Sequence, residues 1–452
     1  MLKNGGGQNA RATVARAFCP EPYVTIWYHA HNADRRGPPN IYILDLTVTS
    51  TPGSHTRSGV LGLRRRRPEL LKLIGVGPPS RFQSSPRFPP AADSAPARSK
   101  TGAGNFRETR QLRRMISRRK QHYPVSSLLR QYLYHFDRQR DIAQVYWELC
   151  RFTGAVPYEG PDGRETLWVT VMYPPEVLAE LRPRLASIYT ELKLGRDVTQ
   201  HEHLLVDRID FGDFGNSKPF RVRVTNAFND NSDYFYVKQA DASRIYGLEL
   251  EHILSPNRIN YIVNGTTLIE EHIAGVPGDI FLRDHLTQPG INKVRIAKEF
   301  TKFNERCFIR LLGDMRSANY IVEITPDFEE VQYRVRPLDF DEQSYEGKGN
   351  TYMALRYHSN RAITRLAFKV LNRKTIDQYV AEEHAQMSRR AKVESSRLRA
   401  LLGIMCREEL APRGHVASLA KDLDRIHGTR LFAPCKSMGE LTAKHLSLML
   451  NI

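Results

Sequence analysis

The feature that most constrains this chain is a change of hydrophobic period. Between Leu204 and Ile273 the period becomes that of strands: apolar and charged residues alternate in Phe220-Arg221-Val222-Arg223-Val224, flanked by the short strand-type runs Leu204-Leu205-Val206 and Tyr234-Phe235-Tyr236-Val237-Lys238. Such alternation sends successive side chains to opposite faces of a strand. A helical period follows over 242–254. Then Ile259-Asn260-Tyr261-Ile262-Val263 and Thr267-Leu268-Ile269 flank Asn264-Gly265, the strongest short signal for a hairpin turn. The order is β-β-β-α-β-β. From Asp279 onward the period is mainly helical (294–303, 362–371, 376–405, 416–426, 438–450), broken by one expected β-hairpin between Tyr320 and Val335. These patterns predict an α+β fold of two lobes: an antiparallel five-stranded lobe with one helix, then a mainly helical lobe.

Upstream of Leu204 the signals differ. Ser126 or Ser127 can cap a helix carrying Leu129, Tyr132, Leu133 and Phe136, and Ile142, Val145, Tyr146 and Leu149 continue the spacing, which predicts a helical hairpin. A short strand at 167–171 and a helix over 177–194, interrupted by Pro183, complete an expected helical module at 115–203. Residues 1–114 show no sustained period and many breakers, including Gly5-Gly6-Gly7, Pro38-Pro39 and Pro89-Pro90, and are expected to be a disordered basic tail. The kinship of this leader with organelle transit peptides stops at its lack of a long amphipathic helix, and Met115 is a second candidate start.

Charge sharpens the division. The net +18 suggests a nucleic-acid partner, yet residues 1–120 hold 22 of the 67 Lys and Arg and only 6 of the 49 Asp and Glu, so the rest is close to neutral. Nucleic acid is therefore an expected partner only through the tail, whose Arg64-Arg65-Arg66-Arg67 run is otherwise a solvated basic stretch. No apolar run approaches the roughly 18 residues that span a bilayer, so no membrane role is expected. Five scattered cysteines without a Cys-x-x-Cys pair point to free thiols and a cytoplasmic location. His201-Glu202-His203 has no usual zinc spacing, and Asn264-Gly265-Thr266 is better explained by a turn than by glycosylation.

Chemistry concentrates in two stretches, Leu312-Gly313-Asp314-Met315-Arg316-Ser317-Ala318-Asn319 and Leu338-Asp339-Phe340-Asp341. Asp314 and Asn319 on a loop entering the hairpin, with Asp339 at its far end, would bring three oxygen-bearing side chains to one point. Carboxylate, amide and phosphate oxygens are the ligands magnesium favours. On this pattern Asn319 and Asp339 share a metal while Asp314 approaches a substrate hydroxyl.

Gly313-Asp314 followed by four residues and Asn319 resembles the His-Gly-Asp catalytic loop of the protein-kinase-like superfamily, in particular of aminoglycoside phosphotransferases and related small-molecule kinases. The resemblance covers about 204–372. It implies a kinase-like N-lobe at 204–278 and a helical C-lobe with an extension at 279–452, with Asp314 as catalytic base and Asn319 and Asp339 as Mg²⁺ ligands. It further implies that Lys238 contacts the ATP phosphates with Glu249 as its ion-pair partner and Glu251 as the rival. The backbone of the segment containing Glu271 and Ile273 would receive adenine, and Gly212 and Gly215 would form the phosphate turn. The chain departs from the family at Leu312, where His is usual, and at Asp341, where the Asp-Phe-Gly motif has Gly. The absence of an Ala-Pro-Glu end after Asp341 favours a small acceptor over a protein. The implied function is ATP-dependent, Mg-dependent phosphoryl transfer to a hydroxyl or amino group. Two alternatives stand beside it: a nucleotide-binding scaffold without turnover, and a nucleic-acid-binding protein acting through the tail.

Overall fold

Strand formation at the centre of the molecule follows from the alternation. In the computed structural model, which describes residues 120–160, 163, 165–195, 202–214, 216–327 and 331–452, β4 (Phe220–Asn226) turns Phe220, Val222 and Val224 to one side and Arg221 and Arg223 to the other. β5 (Ser232–Gln239) pairs with it antiparallel, Phe220 opposite Val237 and Val222 opposite Phe235, so the two apolar faces coincide. β3 (Leu204–Gly212) precedes them, and β6 (Tyr261–Asn264) and β7 (Thr267–Glu271) follow, joined by a turn in which Gly265 takes φ +56°. All five expected strands are present, with the helix α4 (Ala242–Leu254) between β5 and β6.

The sheet nevertheless has seven strands. β1 (Gly154–Glu159) and β2 (Glu165–Met172) form a hairpin that extends it, in the order β1-β2-β3-β4-β5-β7-β6. β2 pairs with β3 through Trp168–Gly212 and Thr170–Asp210. The addition lengthens the apolar face, which α3 (Pro175–Leu194, with Pro183 inside it) covers with Leu181, Leu185, Ile188 and Leu192. Of the expected helical hairpin, α1 (Ser127–His135) forms with Ser126 as its cap. The second arm is only α2 (Tyr146–Leu149), because Arg138–Arg140 instead pairs with Val263 and covers the β6 edge.

α4 is capped by Asp241 and buried along its length except at His252, with the sheet on one side and C-terminal helices on the other. The helical lobe is built on α5 (Lys293–Arg310), whose Ile296, Phe300, Phe303 and Cys307 recur every three or four residues and are fully buried. Around it lie α6 (Arg361–Val370), α7 (Arg373–Val393), α8 (Ser395–Met405), α9 (Arg413–His427) and α10 (Met438–Leu450). A small second sheet joins β8 (Val276–Pro277), β9 (Tyr320–Pro326) and β10 (Val331–Pro337) in the order β10-β9-β8. The fold is thus the two-lobed α+β arrangement that the sequence patterns predict, compatible with a kinase-like scaffold. Among the described residues no helix is long and apolar enough to cross a membrane, and Cys150, Cys307, Cys406 and Cys435 are free thiols. The tail at 1–114 and its arginine run lie outside the described residues, as do His201 and Gly215.

Candidate functional site between sheet and hairpin

The register of the β9–β10 hairpin assembles the acidic side of the site. Tyr320 pairs with Pro337 as the last rung, so the residues just beyond it, Asn319 and Leu338, are neighbours, and the Leu338 N–H donates to the Asn319 carbonyl (2.9 Å). Asp339 is the next residue. On the other flank, the Asn319 amide donates both to the Asp314 carbonyl (2.7 Å) and to Asp314 Oδ2 (3.0 Å). The three residues singled out by spacing are therefore brought together through local hydrogen bonds.

The loop before them is bent tightly. Leu311 and Asp314 both adopt left-handed φ, +57° and +53°, a conformation that costs a non-glycine residue about 1–2 kcal/mol. Long-range contacts hold it: the Asp314 N–H donates to the Tyr357 hydroxyl (2.9 Å), Ser344 N–H to the Leu311 carbonyl, and the Gln343 side chain to the carbonyls of Arg310 and Leu311. Leu312, at the position of the family's His, is fully buried in the core, so polar support of the loop comes from Gln343 and Tyr357 instead. Arg316 binds the Asp314 carboxylate through Nε (2.7 Å) and Nη2 (2.9 Å). Glu342 packs over Gly313, and its carboxyl is pushed up to about 9, first by burial and then by the charge of Asp314.

Lys238 is joined to the Asp339 side of the site through Glu270 and Arg244. It shares a sheet face with Tyr234 and Tyr236, is 8% exposed, and donates to Glu270 Oε2 at 2.7 Å. The sheet explains the pairing, because Lys238 stands opposite Leu268 and Tyr236 opposite Glu270 on adjacent strands. Arg244, in the first turn of α4, completes a chain of charge: it binds Glu270 through Nε and Nη2, and its Nη1 donates to Asp339 Oδ1 (2.8 Å) and Asp341 Oδ1 (2.9 Å). Burial would raise Glu270, but Arg244 and Lys238 reverse this and hold it at about 2. Lys238 is lowered by burial and by Arg244, against the pull of Glu270. Asp339 is raised to about 6 by the protein packed around its carboxyl and by Asp341, although 32% of the side chain still reaches solvent.

The two glutamates expected to pair with Lys238 do not approach it. Glu249 is fully buried in a cage of Arg397 (2.7 and 2.8 Å), Arg138 (3.3 Å) and the Tyr132 and Tyr261 hydroxyls, and the two arginines outweigh burial and hold its carboxyl low. Glu251 is paired with Arg310. In the segment expected to receive adenine, the Glu271 N–H is committed to the Asn260 carbonyl (3.0 Å) and its carboxylate to the Asn260 amides, while Ile273 is buried in the core cluster. At the end of β3, a Cβ on Gly212 would come within 2.5 Å of the Phe214 ring, which folds back to meet Trp168 edge-on at 5.0 Å. Gly212 thus serves a close approach of Phe214.

Residues that sequence reasoning missed are Arg244, Glu270, Glu342 and Lys120. Lys120 donates its N–H to Asn216 (2.9 Å) and its ammonium to Asp241 (2.8 Å) and the Asp341 carbonyl (2.8 Å), tying the β3–β4 turn to the α4 cap and the segment after Asp339. No local pattern marks these four, since each pairs with a partner distant in sequence.

The hydrogen bonds leave two oxygens for a cation, one amide and one carboxylate. With both Asn319 N–H groups turned to Asp314, its amide oxygen is the atom left for a cation. Asp339 Oδ1 is taken by Arg244 and the Asp341 N–H, which leaves Oδ2 on the exposed side. Among the described residues no group of three or more His, Cys, Asp or Glu could hold a metal. One carboxylate and one amide, with phosphate and water oxygens making up the octahedron, is the sparse protein contribution magnesium usually takes in such sites. No protein-family model matches the chain, and no curated protein matches it in sequence.

Proposed function

We propose that this chain is a kinase-like phosphotransferase that moves the γ-phosphoryl group of Mg–ATP to a hydroxyl or amino group of a small molecule. The observation that carries this is the convergence of Asp314, Asn319 and Asp339 at the end of one hairpin, joined through Arg244 and Glu270 to a buried lysine on the sheet. Asn319 and Asp339 would hold Mg²⁺, which when bound neutralises charge on the phosphates. Lys238 and Arg244 supply fixed positive charge beside them. Asp314, anchored by Asn319 and Arg316, would accept or orient the proton of the acceptor, and Glu342, whose carboxyl is pushed up by burial and by Asp314, would place less negative charge beside it. Phosphoryl transfer depends mainly on positioning and charge stabilisation, so these few groups are a sufficient set. A small acceptor is favoured because the segment after Asp341 is packed into short turns with Tyr352 and Ala354 buried, which leaves little platform for a peptide.

A second reading, nucleotide binding without turnover, is favoured by Arg244, which already neutralises Asp339 and Asp341 where a metal would act. One experiment separates the two. Thermal shift of the full chain with ATP, with and without Mg²⁺, is paired with phosphate transfer from labelled ATP across a panel of hydroxylated and amino acceptors. Phosphotransfer predicts a Mg-dependent shift lost in Asp339→Ala, and transfer lost in Asp314→Asn with the shift retained. A shift without transfer to any acceptor supports the scaffold; no shift at all rejects both.

A further inference from the structure

α7 directs two neighbouring stripes to different surroundings. Glu383, Met387 and Ala391, four residues apart, are buried against the core. On the adjoining stripe Arg389, Arg390 and Val393, with Gln386 and Glu394, line an open groove of about 380 Å³ together with Ile253 of α4 and Arg258 of the loop after it. The buried and half-buried arginines Arg138 and Arg397 are matched to Glu249, Arg306 to Glu299 and Arg310 to Glu251. In the groove, among the described residues, none of the three guanidinium groups has a hydrogen bond or ion pair. Three cations thus line one groove with a single carboxylate.

Like charges placed together repel, and they are ordinarily relieved by salt or by a bound anion. Helix stabilisation explains part of the pattern, since basic residues in the last turn of α7 offset its dipole. It does not explain Arg258, which comes from the loop after α4. Guanidinium groups pair with phosphate and carboxylate in a bidentate fork, and a groove of this volume is the size of a small-ligand site, not of an extended track for a polymer.

We propose that this groove is a binding site for a compact multivalent anion carrying two or more phosphate or carboxylate groups, which bridges Arg258 to Arg389 and Arg390. Such a ligand would clamp the far end of α4, the helix whose first turn carries Arg244, against α7. The proposal does not depend on phosphotransfer.

The test is isothermal titration of the full chain with tripolyphosphate, and separately with citrate and orthophosphate, in 150 mM NaCl freed of divalent metal by passage over a chelating resin, so that a magnesium site cannot contribute. The expected result is saturable binding of tripolyphosphate or citrate, tighter than orthophosphate. It should be weakened about fivefold by Arg258→Gln or Arg389→Gln and about twentyfold or more by the pair, with unchanged unfolding transitions. Lys238→Met, which removes the cation assigned to the phosphates of the nucleotide, should bind like the parent, which separates this groove from the nucleotide site. Binding that is unchanged in the Arg258→Gln/Arg389→Gln protein would overturn the proposal and place the anion elsewhere, on the arginine-rich N-terminal residues first; so would the lack of saturable binding.

Discussion

Replacing Glu270 by glutamine keeps the volume of the side chain and removes one charge from the centre of the Lys238–Glu270–Arg244 chain. Glu270 is 5% exposed and accepts from both cations, so its loss leaves two buried positive groups facing each other. Removing one partner of a buried ion pair costs about 3–5 kcal/mol. The low end applies here because Arg244 retains Asp339 and Asp341. We therefore expect a loss of about 3 kcal/mol, which for a urea dependence of about 3 kcal/mol/M lowers the midpoint by about 1 M. Equilibrium urea unfolding of the full chain at pH 7.5 measures it, with Asp377→Asn as control: the Arg373–Asp377 pair is 88% and 56% exposed and is worth under about 1 kcal/mol. The sign with pH is fixed by the folded value of about 2 against an unfolded value near 4.5. The difference between parent and variant should be constant from pH 8 to 5, shrink below 4.5 and vanish as pH falls through 2. A midpoint shift no larger than the control's, or a difference that grows on acidification, would refute the reasoning.

Glu249→Ala should destabilise by about 3–5 kcal/mol, because Arg397 and Arg138 lose a buried carboxylate; if the ATP-induced thermal shift of the remaining folded protein is also abolished, Glu249 has a role in the cleft that its cage does not explain. His445 is fully buried beside His427, with its pKa pushed down to about 3 by burial and then by His427. The unfolded chain binds a proton there below pH 6.5 and the folded one does not, so this residue contributes up to about 1.4 kcal/mol of lost stability per pH unit as pH falls from 6.5 towards 3. His445→Gln should flatten that slope in urea titrations between pH 6 and 4.5, and an unchanged slope counts against it. Gly212→Ala should push the Phe214 ring off Trp168, losing an aromatic pair worth about 0.5–1.5 kcal/mol and changing tryptophan emission; Phe214→Ala should reproduce the emission change, and its failure to do so would sever the link.

Much of the fold was legible locally. Alternation and helical period depend on residues two to four apart, so the strands from Leu204 to Glu271, the Asn264-Gly265 turn and the helices after Asp279 are visible in the order of residues. The grouping of Asp314, Asn319 and Asp339 was legible too, because a hairpin brings its own ends together. What the tertiary structure decided was pairing between distant segments. The 154–172 hairpin could have stood apart; its union with β3 depends on an apolar face shared across the sheet. The partner of Lys238 was hidden for a related reason. α4 is buried on nearly every side, so its apolar pattern does not reveal which face meets the sheet. Once Arg244 takes that face, Glu249, five residues on, is turned by about 140° towards Arg397, and Glu251 returns to the face about 10 Å further along, over Arg310. Local order in the chain specifies which elements form. Which charges meet depends on how helices rotate and strands align when the core closes, and only the folded molecule determines that.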